Sequence, residues 1–134
     1  MFPLRTATAC WCALCAVAIA NGALREAWLG PGLGTAAAHV VSTLLLCAAV
    51  GLAALLYARR LGPAWGVRGM WATGLFWAGL TVAFEFLFGH YVAGHPWQRL
   101  LADYDVTAGR VWVLVPVALA LGPRLAWGWL RGRG

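Results

Sequence analysis

Four acids and three histidines carry the proton chemistry of this chain: Glu26, Glu85, Asp103 and Asp105, with His39, His90 and His95. Glu85 says the most. It interrupts the apolar run Leu80-Thr81-Val82-Ala83-Phe84-Glu85-Phe86-Leu87-Phe88. A carboxylate in such a run is costly unless it faces a protein interior, holds a proton or finds a partner. Helical spacing favours the interior, because Gly74, Ala78, Thr81, Glu85 and Gly89 recur at steps of three or four and share one face. Small residues on that face admit a second helix at close range. Two further apolar runs carry polar groups one turn from the same end. Asn21 shares a face with Cys10, Leu14 and Arg25, and His39 shares one with Ser42, Thr43 and Cys47. The expected site is therefore a layer of Asn21, His39 and Glu85 under Arg25 and Arg110. Burial and a nearby arginine act on a carboxylate's proton affinity in opposite directions. That competition suits binding of a proton, an ion or a small ligand. The competing expectation is a hydrogen-bonded layer that only sets helix register.

A second group of candidates lies in the segment between His90 and Gly109. His95-Pro96-Trp97-Gln98-Arg99-Leu100-Leu101-Ala102-Asp103-Tyr104 reads as a short interfacial helix with Pro96 in its first turn. Its apolar stripe is Trp97, Leu100, Leu101 and Tyr104. His90, His95, Asp103 and Asp105 are secondary ligand candidates, but no pair has the spacing of a zinc site. No metal and no cofactor is expected.

Other chemistries are excluded or disfavoured. All ten basic residues are arginine, so there is no lysine for a Schiff base or a phosphate loop. Ser42 is the sole serine and lies within an apolar run, and neither Gly-x-Ser-x-Gly nor His-Glu-x-x-His occurs. Cys10, Cys12, Cys15 and Cys47 also lie in apolar runs. Cys12-x-x-Cys15 has redox spacing, but outside a βαβ context these thiols are expected to pack as small apolar groups. Glu26-Ala27-Trp28-Leu29-Gly30 faintly echoes Glu85-Phe86-Leu87-Phe88-Gly89.

The elements that must position these groups follow from composition. Of 134 residues, 63% are hydrophobic and 10% charged, against about 45–50% and about 25% in soluble domains. A soluble fold this short could not bury that surface, so the bilayer is the expected partner. Four runs have the length of a membrane-crossing helix, about 20 residues: 6–24, 35–58, 69–89 and 111–129. Gly30-Pro31-Gly32 and Gly62-Pro63 are the expected breaks between the first three. Lipid offers no partner for strand edges, so the spans are helices. The first run also has features of a secretory signal, with Arg5 ahead of it and Ala18-Ile19-Ala20 as a cleavage-like end.

Arginine placement predicts orientation. Arg5, Arg59, Arg60, Arg68, Arg124, Arg131 and Arg133 fall at one set of ends, and Arg25, Arg99 and Arg110 at the other. Seven against three puts both termini in the cytoplasm. All seven acids and histidines then fall at the outer face. The arginines punctuate apolar runs rather than forming a solvated stripe, so nucleic acid is not an expected partner.

The segments Asn21-Gly22-Ala23-Leu24-Arg25-Glu26, Ala38-His39-Val40-Val41-Ser42-Thr43, Leu80 to Tyr91 and Gly109-Arg110-Val111-Trp112 resemble a group of small, uncharacterised bacterial inner-membrane proteins with four predicted spans. The resemblance extends from about Asn21 to Leu114. It implies the architecture and brings no activity. The expectation is thus a single all-α domain over residues 1–134, an integral membrane four-helix bundle in the bacterial inner membrane. It is expected to be a homo-oligomer or to sit beside a larger membrane protein. Its leading role is a transporter-like or sensing component with an outer-face site. A structural accessory subunit is the rival reading, and an embedded enzyme ranks third.

Overall fold

The computed structural model describes residues 3–134. Among them the chain is all-helical, without strands. Helix α1 runs over Leu4–Leu33. It is regular over Leu4–Leu24, widens into a π turn over Arg25–Leu29, and closes with one α turn, Gly30–Leu33. Helix α2 is Thr35–Leu87 and continues as a second π turn, Phe88–Val92. A short helix α3, Trp97–Ala102, and a 3-10 turn, Val106–Ala108, lead to α4, Leu114–Gly132.

The first break differs from expectation. Helix runs straight through Gly30-Pro31-Gly32, and the chain turns at Gly34, φ 85°. Pro31 sits in the first turn of its helical segment, where its missing N–H is no loss. The preceding π turn leaves the Gly30 amide bonded to the Arg25 carbonyl. The second break falls close to expectation. Pro63 removes a helical donor, and Gly66 (φ 60°, ψ −161°) supplies a backbone conformation suited to glycine.

Gly66 folds α2 into two arms, 35–65 and 67–87. In a straight helix residues 57 and 77 would lie about 30 Å apart. Instead the Tyr57 and Trp77 rings meet edge to face at 5.2 Å. Thr73 Oγ1 lies 3.0 Å from the Tyr57 hydroxyl and 2.9 Å from the Gly69 carbonyl. With one proton to give, Thr73 donates to the carbonyl and accepts from Tyr57.

The remaining contacts set helix direction. Trp77 Nε1 donates to the Ala7 carbonyl at 2.9 Å and Trp11 Nε1 to Thr81 Oγ1 at 2.9 Å. These equal offsets make α1 parallel to the second arm. Asn21 Nδ2 donates to the Ser42 hydroxyl and carbonyl, tying α1 antiparallel to the first arm. Helix α4 lies antiparallel to the second arm, with Ala120 against Gly74. The core is narrow: Leu46, Val50, Ala54, Met70, Trp77, Val115 and Leu119 are buried.

Two helices are long and apolar enough to cross a membrane, Leu4–Leu33 and Thr35–Val92, the second being the folded-back pair of arms. Only 11% and 33% of their most apolar windows are buried. Ile19, Leu44, Leu45, Leu52, Leu56 and Leu75 are exposed. Exposed apolar faces of this kind are compatible with membrane association.

Candidate functional site

Where α1 ends, α2 begins, the second arm ends and α4 begins, the helices open into a cavity of about 800 Å³. Ligand pockets fall at about 300–1,000 Å³. Four of the five leading sequence candidates line it: Arg25, His39, Glu85 and Arg110. Asn21 does not, being engaged with Ser42. It joins α1 to the first arm, which is a register-setting role. Of the secondary candidates, His95 and Asp103 line the cavity. His90 stacks on Trp97 at 3.8 Å and bonds the His95 carbonyl through Nδ1. Asp105 caps the 3-10 turn by accepting from the Thr107 amide and hydroxyl. Those bonds hold its exposed carboxyl below the usual carboxylate range.

Both π turns border the cavity, which Arg25 and Glu26 line from one and Phe88 and Gly89 from the other. Turns of this type are frequent at functional sites. The two echoing segments therefore meet here, with Glu26, Gly30, Glu85 and Gly89 on one wall system.

Glu85 is the best-anchored group. Tyr104 donates its hydroxyl to Oε2, and the Trp112 indole faces both the carboxyl and that hydroxyl. Oε1 is buried and has no hydrogen-bond partner among the described residues. His39 is similar: it lines the cavity, and its buried Nε2 has no partner among the described residues. Thr43 Oγ1 and Trp127 Nε1 are also unpartnered among the described residues but lie away from the cavity, whereas Glu85 Oε1 and His39 Nε2 face a space where a ligand or ordered water can reach them.

The charged groups divide into engaged and free. Arg110 pairs with Asp103 at 3.3 Å, the one ion pair among the described residues. Both side chains are about half exposed, so the pair contributes little stability. Arg99 donates to His95 Nδ1 at 3.1 Å, which requires an unprotonated Nδ1. Arg25 and Glu26 make no ion pair among the described residues.

Sequence reasoning placed Tyr104 on the apolar stripe of the loop helix. Helix α3 instead ends at Ala102, and Tyr104 turns inward to stack on Phe86 and reach Glu85. No periodicity links residues 85 and 104, because an irregular loop separates them. Leu100 covers Gly89, where a β-carbon would stand 2.7 Å from its methyl. Trp112, Glu26 and Arg99 also line the cavity without having been expected there.

Burial, and then the bond to Glu85, push the Tyr104 hydroxyl's pKa well above the usual tyrosine range. A raised folded-state pKa means that the proton stabilises the fold. That stability is complete below the unfolded value of about 10 and is lost as pH rises toward the folded one. Wild type should thus lose its thermal advantage over Tyr104→Phe progressively above about pH 10. A constant difference in unfolding temperature across that range would contradict the assignment.

Among the described residues, no group of three or more His, Cys, Asp or Glu side chains could hold a metal ion. Comparison of the chain with protein-family models, curated proteins and solved structures finds no match.

Proposed function

We propose that this chain is a four-span protein of the bacterial inner membrane, like the small proteins it resembles, whose outer-face cavity binds a proton, an ion or a small ligand. It serves as a transporter-like or sensing component. The observation that carries the reading is the pair of orphaned buried atoms, Glu85 Oε1 and His39 Nε2, on one cavity of about 800 Å³. Asn21 and Ser42, which set helix register, satisfy each other, whereas Glu85 Oε1 and His39 Nε2 both face the one cavity unpartnered among the described residues.

Helix directions support the membrane assignment. The arms and α4 return the chain so that Arg5, Arg59, Arg60, Arg68, Arg131 and Arg133 gather at the end away from the cavity. Under the positive-inside rule that end is cytoplasmic, with both termini. The exposed leucines face lipid.

The test is a thermal-shift screen of protons, monovalent and divalent ions and small zwitterions, with wild type beside Glu85→Gln. Wild type is expected to be stabilised by at least one of them. Glu85→Gln should insert and assemble yet lose that response. If Glu85→Gln melts lower but responds as wild type does, the site reading fails.

A further inference from the structure

A second cavity, about 210 Å³, lies deeper between α1, both arms and α4. Its walls are apolar: Trp11, Leu14, Leu46, Val50, Val115 and Leu119. It shares Phe84, Glu85 and Trp112 with the outer cavity, so polar and apolar space meet at one carboxyl. At about 30 Å³ for a water-sized group, the inner space takes roughly seven methylenes. Ala18 and Ile19 also border it, and Ile19 is exposed on the outer surface of α1, which opens the space toward lipid.

The outer cavity has a matching charge pattern. Three arginines and three carboxyls line it: Arg25, Arg99, Arg110, Glu26, Glu85 and Asp103. Two of the arginines are engaged, Arg110 with Asp103 and Arg99 with His95. Among the described residues, what is free at this cavity is Arg25 on the basic side and, on the acidic side, Glu26 together with Glu85 Oε1. That complement fits a headgroup carrying both an anion and an ammonium, and it fits an anion alone less well.

We infer that the two cavities form one site for a zwitterionic amphiphile, with its phosphate at Arg25, its primary ammonium at Glu85 and Glu26, and its acyl chain in the inner cavity. The inference rests on the outer cavity being a ligand site and specifies the ligand's class. An ammonium supplies the N–H donor that Glu85 Oε1 lacks, and a phosphate accepts from guanidinium in charge-assisted bonds. The chain replaces lipid contacts with protein contacts, so it selects by shape and the headgroup by charge.

The probe is octanoyl lysophosphatidylethanolamine, titrated calorimetrically into the full chain in dodecyl maltoside. Phosphoethanolamine lacks the chain and should bind roughly a hundredfold more weakly. The octanoyl lysophosphatidic acid and lysophosphatidylcholine analogues lack ammonium N–H donors and should each bind about tenfold more weakly. Arg25→Ala and Glu26→Gln should each weaken the lysolipid by a similar factor. Ala18→Leu, which narrows the inner cavity, should weaken the lysolipid while leaving phosphoethanolamine unchanged. That selective loss separates a blocked chain site from misfolding, which would remove both. Equal affinity for the lysolipid and phosphoethanolamine, or indifference to the ammonium, overturns the inference. If an ion or proton still stabilises wild type and not Glu85→Gln, the proposed function survives that failure. If nothing stabilises wild type, both fall.

Discussion

Gly74→Ala is expected to destabilise the protein by about 1–3 kcal/mol, the usual cost of overpacking, and Gly74→Leu to prevent α4 from docking. The β-carbon of an alanine at 74 would stand 2.0 Å from the carbonyl oxygen of Ala120 and 2.8 Å from its carbon. These are backbone atoms of a packed helix, so no side-chain rotation relieves the clash. One helix must move away, and α4 packs along the folded α2 through contacts with both of its arms. Loss of that packing would also displace Trp112 from Glu85, because both helices contribute to the cavity. Gly79 is the internal control. It lies on the same arm, and a β-carbon there meets nothing within 4 Å. Gly79→Ala should be neutral or stabilising by about 0.5–1 kcal/mol, since alanine restricts the unfolded backbone more than glycine does. Equilibrium unfolding in a common micelle measures the difference. Equal stabilities of the two variants would show that the close approach is not limiting.

Trp77→Ala is expected to cost about 3 kcal/mol. Trp77 is fully buried and is the largest such side chain. It joins three elements: its ring meets Tyr57 of the first arm, its indole N–H bonds Ala7 of α1, and it sits on the second arm. Truncations of this kind cost about 3–5 kcal/mol in soluble cores. Under the proposed membrane assignment the lower end applies, because lipid would already solvate apolar groups and leave mainly lost packing and the void. Trp77→Phe separates the contributions. It keeps most of the packing and removes the N–H, and membrane hydrogen bonds average about 0.6 kcal/mol. The alanine variant should therefore lose several times what the phenylalanine variant loses, read from their unfolding midpoints. Comparable losses would mean that the hydrogen bond, not the ring, holds α1 in place.

The balance between those two sites bears on the cavity. Trp77 and Gly74 lie toward the middle of the second arm, whereas Glu85, His39 and the π turns lie at its end. The tightly packed part of the fold thus supports a loosely packed, polar end. Variants at Tyr104 and Glu85 act on the second region and should leave the first intact.

Much of this was legible in the residues. Apolar runs of membrane length, broken by glycine and proline, predict helices, since a chain in lipid has no other way to satisfy its backbone, and the described residues are all-helical. Counting turns places Glu85 and His39 each near one end of its run, and both line one cavity with Arg25 and Arg110. Three matters were settled only by tertiary structure. Asn21 matched those groups in depth and helical face, yet its amide meets Ser42, because periodicity defines a face and not which neighbour that face meets. Gly30-Pro31-Gly32 looked like a break, yet helix continues to Gly34, since a proline in a first turn and a π turn before it both preserve helical bonding. Tyr104 reached Glu85 through a loop whose path has no period. The sequence determined which segments are helical and how far from each helix end their polar groups lie. The rotation of each helix, the course of the loop and hence the cavity were decided by how the helices close on one another.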